Sequence, residues 1–208
     1  MSEVSIDLSP LALSALALLD ERPMHPYELA STMRARHHDE FVRLNFGSLY
    51  HTVEVLERNG WIVPAEREKE GRRPERTIYR LTDAGRDVLE RVVGDIIAAP
   101  RREYPHFAAG LMFMHLLDAT RATALLDQRA QVLRTTIAHL SHLLTTLHEE
   151  GVKRLSLIEL EHKIAMLEAE EGWVNGLARE VKTGKLEWTA GIEAGHERLR
   201  SRHGASPH

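Results

Sequence analysis

NFGSLYHTVEVLERNG, residues 45–60, reads as one helix with its own start and stop. Asn45 is a short polar side chain of the kind that accepts a hydrogen bond from a first-turn amide. Gly60 suits the left-handed residue that closes a helix. Between them Leu49, Val53, Val55 and Leu56 recur at helical spacing and are expected to face inward. What remains at the outer start is small and polar: Asn45, Gly47, Ser48, His51 and Thr52. These groups can hydrogen-bond base edges or phosphates, and Gly47, costly inside a helix, fits close approach of the backbone to another surface. The same residues also fit a capped helix whose first turn is only solvated.

Upstream, Ser9-Pro10 opens a helix apolar on most sides (Leu11, Leu13, Leu16, Ala17, Leu19), and Pro26 opens a second carrying Tyr27, Leu29, Ala30 and Met33. Downstream, Trp61-Ile62-Val63 and Thr77 to Leu81 are β-prone and flank a charged stretch around Gly71 and Pro74, the pattern of a hairpin. Thr82 then caps a helix whose Val88, Leu89, Val92, Val93, Ile96 and Ile97 run to Pro100. Helix, helix, helix, hairpin, helix is the order of a winged helix-turn-helix, whose helix after the turn enters the DNA major groove.

Net charge does not announce such a partner. The 208 residues carry 27 basic and 31 acidic side chains, giving −4 overall, with −4 in the first hundred residues and zero in the rest. The hairpin is the exception. From Arg67 to Arg80 six basic residues face three acidic ones, a local +3, and Arg72 and Arg73 at the tip, with Arg76 behind them, are the candidates to reach phosphates or the minor groove. A solvated charged turn has the same composition.

With 43% hydrophobic residues the chain can bury a sizeable core. The longest early apolar run, Leu11 to Leu19, is interrupted by Ser14 and far short of the roughly 20 residues a bilayer requires, so no membrane span is expected. Nothing after Met1-Ser2-Glu3 resembles an export signal, and a cytoplasmic protein is expected. The absence of cysteine removes disulfide frameworks, thiolate metal sites and cysteine nucleophiles. No Gly-rich phosphate loop, nucleophile elbow or spaced carboxylate–histidine set is present, so an enzyme is not expected, nor is a cofactor. His139 and His142 share a helix face but have no acidic residue within a turn, so no metal site is assigned to them.

A domain boundary is placed at the Pro100 to Pro105 segment, giving a winged domain at 1–100 and a helical domain at 101–208. Phe107 to Leu117 reads as one apolar helix, and Asp118 caps the next. In that helix Leu126, Ala130, Leu133, Ile137, Leu140, Leu144 and Leu147 step by four and three as a coiled-coil-like seam. Ser156 to Glu159 has the pattern of a capping box, opening a helix with a second seam at Leu157, Leu160, Ile164, Leu167, Val174 and Val181. A weak helical signal continues from Lys185. The seams must be covered, by each other or by a second chain, and the expectation is a homodimer, because reading two half-sites a helical turn apart needs a symmetric partner. Phe107, Met112, Phe113, Met114 and Trp173 are candidates for an apolar effector cavity between the domains; plain core is the other reading of them.

Leu11 to Leu89 resembles the PadR family of transcriptional regulators, in MHPYEL at 24–29, GSLYHTVEVLERNGWI at 47–62 and YRLTDAGRDVL at 79–89. AEEGWVNGL at 169–177, with the helix at Phe107, resembles the helical C-terminal domain of one PadR subfamily. The resemblance implies a homodimeric winged-helix repressor on a palindromic operator, released by a small aromatic or hydrophobic effector. It places Tyr27 in phosphate contact and Tyr50 in shaping the reading helix. Pro26 stands where the family usually has glycine and His51 where it often has proline, so the base contacts of the first turn are not carried over. A winged-helix module that binds protein rather than DNA is the competing reading.

Overall fold

The structure is a computed structural model that describes residues 6–68 and 76–188. Between Arg102 and Glu103 the chain divides into two compact units. In the first, α1 (Pro10–Glu21), α2 (Pro26–Ala35) and α3 (Phe46–Arg58) are followed by strands β1 (Ile62–Glu68) and β2 (Arg76–Leu81) and by α4 (Asp83–Ala98). The starts follow from their caps: the Ser9 hydroxyl accepts from the Ala12 amide and Asn45 Oδ1 from the Ser48 amide. Gly60 ends α3 at a φ of 73°, the left-handed value its position calls for. Leu16, Leu18, Leu29, Met33, Leu49, Val53, Leu56 and Ile62 form one core with almost no exposure. Val55 is only half-buried, and on α4 Val93, Ile96 and Ile97 are exposed, so the inward face of that helix is narrower than its apolar residues suggest.

β1 and β2 pair antiparallel from Ile62↔Leu81 to Glu68↔Arg76, with an irregularity between Pro64 and Glu66. A proline has no amide to donate, and an edge strand next to a bulge is where it is tolerated. Met24, between α1 and α2, adds a short bridge to the sheet: its amide and carbonyl exchange 3.0 Å bonds with those of Tyr79. Tyr79 also donates its hydroxyl to Glu57 on α3 at 3.2 Å, so the base of the hairpin is fixed to both helices of the pair. Just past the last pair at that base, Thr82 accepts from the Gly85 amide and donates to the Gly60 carbonyl at 2.8 Å, tying the start of α4 to the end of α3.

The second unit contains α5 (His106–Met112), α6 (Ala119–Glu149) and α7 (Ile158–Lys182). Asp118 caps α6 by accepting from the Arg121 amide, and Gly151, with a φ of 84°, follows its end. Several expectations fail here. The apolar run from Phe107 is not one helix: it breaks at Phe113 and continues as a short 3₁₀ turn at Met114–Leu116. The capping box does not form; Ser156 lies in a 3₁₀ turn, and Leu157 stands at the cap position of α7 without a side-chain bond. Leu157 is instead buried against Leu140, Leu160 and Ile164. α7 stops at Lys182 and residues 183–188 are not helical; the helical signal from Lys185 falls mostly on residues outside the described ones.

Of the two ways to cover the seams that the sequence leaves open, the structure shows one. The seams cover each other within one chain. Leu126, Ala130 and Leu133 of α6 pack with Val174 and Ala178 of α7, while Leu140 packs with Leu157, Leu160 and Ile164. Ile137, Leu144 and Leu167 are half-buried around these clusters. Each buried leucine contributes about 1.5–3 kcal/mol, so the antiparallel pair accounts for the apolar periodicity without a second chain. Arg129–Glu170, Arg134–Glu171 and Lys182–Asp127 ion pairs flank it. No helix among the described residues is long and apolar enough to cross a membrane.

Candidate nucleic-acid interface

Burial of Leu49, Val53 and Leu56 fixes which side of α3 is presented outward. Asn45, Gly47, Ser48, Tyr50 and His51 are all exposed, and Thr52 is half-buried with its hydroxyl donated to the Ser48 carbonyl at 2.8 Å. The first turn holds no acidic residue, and the amide ends of a helix carry partial positive charge. Glu54 is the first carboxylate along the outer face, 4.0 Å from Nδ1 of His51. Gly47 is open: a Cβ there would meet only Asn45 Oδ1, at 3.6 Å. Among the described residues none requires this glycine.

Tyr27 sits in the first turn of α2, where Nδ1 of His25 accepts its amide at 3.1 Å, and it is 62% exposed. Its ring stacks on that of Phe46, with centroids 6.0 Å apart and planes within 11°. The guanidinium of Arg34, from the last turn of α2, lies 4.8 Å from the centre of the same Phe46 ring. The helix pair thus meets at a small aromatic–cationic cluster outside the core. Sequence reading missed Phe46 and Arg34. The signal that could have found Phe46 was its spacing, three residues before Leu49 and seven before Val53, which puts it on the inward-facing side of the helix at its exposed first position.

Two ion pairs join α2 to α1 on its other side. Arg36 at the end of α2 forms a two-pronged bond to Glu21 of α1, with Nη2 to Oε2 at 2.8 Å, and this bond holds the Glu21 carboxyl below its usual value. Arg22 pairs with Glu28 in the first turn of α2. Arg72 and Arg73 lie outside the described residues, as does the side chain of Arg76, whose backbone begins β2.

In the second unit a cavity of about 420 Å³ is lined by Phe107, Leu111, Phe113, Met114, Leu126 and Arg129, among others. It lies wholly within that unit, between residues 107 and 129, rather than between the domains. Two candidates are not in its wall. Met112 is exposed, and Trp173 stands behind Phe107 in an edge-to-face contact at 6.2 Å. Arg129, 3.6 Å above the Phe107 ring, is also bonded to Glu170 at 2.6 Å, so it is a partly neutralised cation in an otherwise apolar wall. No group of three potential metal ligands occurs among the described residues.

Three helices with α3 presented outward, an antiparallel hairpin and a following helix define a winged helix-turn-helix. Residues 15–91 match the transcriptional regulator PadR-like family and are a domain of that family. The chain shares its fold with solved PadR regulators. Bacillus subtilis PadR in complex with operator DNA superposes with a TM-score of 0.67 at 16% identity, covering 83% of this chain and 99% of that one. The same protein in complex with p-coumaric acid gives 0.64 at 14% identity, covering 86% and 99%. The Vibrio cholerae virulence activator AphA gives 0.63 at 18% identity, covering 83% and 98%. Among curated protein sequences none matches this chain.

Proposed function

We propose that this protein is a transcriptional regulator that binds a palindromic operator as a homodimer and is released by a small hydrophobic or aromatic effector. The observation that carries the reading is the outer face of α3, where Asn45, Gly47, Ser48 and His51 are exposed together beside the hairpin of a PadR-like domain. Small polar groups on a helix of that fold suit base edges, and the arginines of the hairpin suit phosphates. Tyr27 and Tyr50, both exposed, flank the same face. The related fold of PadR is solved on operator DNA, which supports the same partner here.

Repression is the assigned mode, since a dimer seated on an operator occludes the promoter it overlaps. Because the seams are covered internally, the homodimer rests on other residues: Phe113, Leu116, Val132, Met166 and Trp173 of the second unit are more than half exposed. Effector release rests on the cavity beside Phe107 and on the p-coumaric acid complex of PadR. The site is expected in a cytoplasmic, non-enzymatic protein.

The test is a salt titration of binding to the DNA upstream of the protein's own gene. Replacing Arg72 and Arg73 together by alanine is expected to weaken all duplexes and to reduce the slope of log K against log salt by about 0.9 for each phosphate no longer neutralised. An unchanged slope removes the wing from the interface. A chain that shifts no duplex while a partner protein co-purifies is an interaction module instead.

A further inference from the structure

We infer that Phe46 reads the C5-methyl of a thymine in each operator half-site, its ring held in place by Tyr27 and Arg34. The inference rests on the DNA-binding reading of α3. Phe46 is the first residue of that helix and 39% exposed, one turn before the exposed Tyr50. It contributes nothing to the central cluster of the first unit, which is built from other residues.

Its ring is nevertheless fixed. The near-parallel stack on Tyr27 and the Arg34 guanidinium 4.8 Å from its centre restrain its orientation while it stays open to solvent. A restrained side chain loses little conformational freedom when a partner arrives. A phenyl ring has no hydrogen-bonding group, so it cannot read the donor and acceptor pattern of base edges. The only apolar feature on the major-groove edge is the thymine methyl. The neighbouring Asn45, Gly47, Ser48 and His51 present polar atoms or bare backbone, so Phe46 is the one position in this turn suited to that group. Arg34 brings a positive charge to the same place, which favours the approach of the phosphate backbone.

The test begins by selecting a duplex from a random-sequence library with the full chain. Each thymine of one half-site is then replaced in turn by deoxyuridine, which removes the methyl and keeps the hydrogen-bonding edge. For the wild-type protein, one thymine is expected at which this change weakens binding about fourfold, the equilibrium equivalent of one methyl returned to water. Phe46→Ala should bind thymine and uracil duplexes equally, while Phe46→Leu should keep part of the preference. Phe46→Ala gives up the Tyr27 stack and the Arg34 contact, so its urea midpoint should fall modestly, and the ratio of thymine to uracil affinity within each folded variant is what decides. Tolerance of uracil at every position by the wild type overturns the inference alone, as does an equal loss in Phe46→Ala. Failure to enrich any duplex overturns the DNA-binding reading together with it.

Discussion

A Cβ on Gly85 would stand 2.1 Å from the carbonyl oxygen of Trp61, so the first turn of α4 lies directly on the backbone at the start of the hairpin. The same carbonyl accepts the Thr82 amide at 3.0 Å. Backbone cannot move aside as a side-chain tip can. Gly85→Ala is therefore expected to destabilise the first unit by about 3 kcal/mol, the upper end of overpacking costs. A methyl group added at Gly94, further along the same helix, would meet nothing within 4 Å, and Gly94→Ala should stabilise by roughly 0.5–1 kcal/mol. Urea unfolding of the two variants should move in opposite directions, and equal midpoints would show that α4 does not seat on Trp61.

Gly47 presents the converse case. Added volume there meets only Asn45 Oδ1 at an ordinary contact distance, so Gly47→Ala should leave the unfolding midpoint unchanged or slightly raised. If α3 is the reading helix, the same methyl stands between backbone and duplex, and operator affinity should fall several-fold. A variant with unaltered stability and unaltered affinity would place the duplex away from this turn.

How far these features can be read in the sequence depends on whether the signal is local. Asn45, Thr82 and Gly60 act on their own neighbours, and each occupies the cap or stop its residue type implies. Ser156 has the same local signal and is overruled. A cap is worth about 1 kcal/mol, whereas burying Leu157 beside Leu140 is worth more, and the chain turns to bury the leucine. The break at Phe113 was hidden because residues 107–117 are nearly all apolar and carry no phase. The heptads at Leu126 and Leu157 specify a helix that needs cover, but a period does not say whether the cover comes from the same chain. Phe46 was missed because it belongs to the surface, and only the nearness of Tyr27 and Arg34 sets it apart.

Acid should weaken two joints. Glu21 is held below its usual carboxylate value by Arg36, and Glu171 by Arg134 and then by Asn175. A carboxylate whose folded value is depressed contributes stability that is complete above the ordinary value of about 4.5 and is lost as pH falls through the lower folded value. Glu21 and Arg36 are each about half exposed, and solvent screens the effect to a small one. Glu21→Gln and Glu171→Gln should lower the urea midpoint slightly at pH 7 and converge on the wild type as the pH falls well below 4.5, which flattens the decline. A variant that keeps the full decline would show that its pair does not persist in solution.

The two faces of the helical unit should separate under substitution. Leu140 is fully buried between α6 and α7, and Leu140→Ala is expected to cost about 2–5 kcal/mol of that unit's stability. Val132 and Met166 are on the same two helices but more than half exposed, so Val132→Glu and Met166→Glu should keep the fold as judged by circular dichroism. If a second copy covers that face, each buries an unpaired carboxylate at the interface, and light scattering should show the monomer fraction rising at micromolar concentration. Operator affinity should fall with it, because one winged domain reaches only one half-site. Monomer at every concentration in the unsubstituted chain would end the dimer reading, while a dimer indifferent to both glutamates would move its interface to another face.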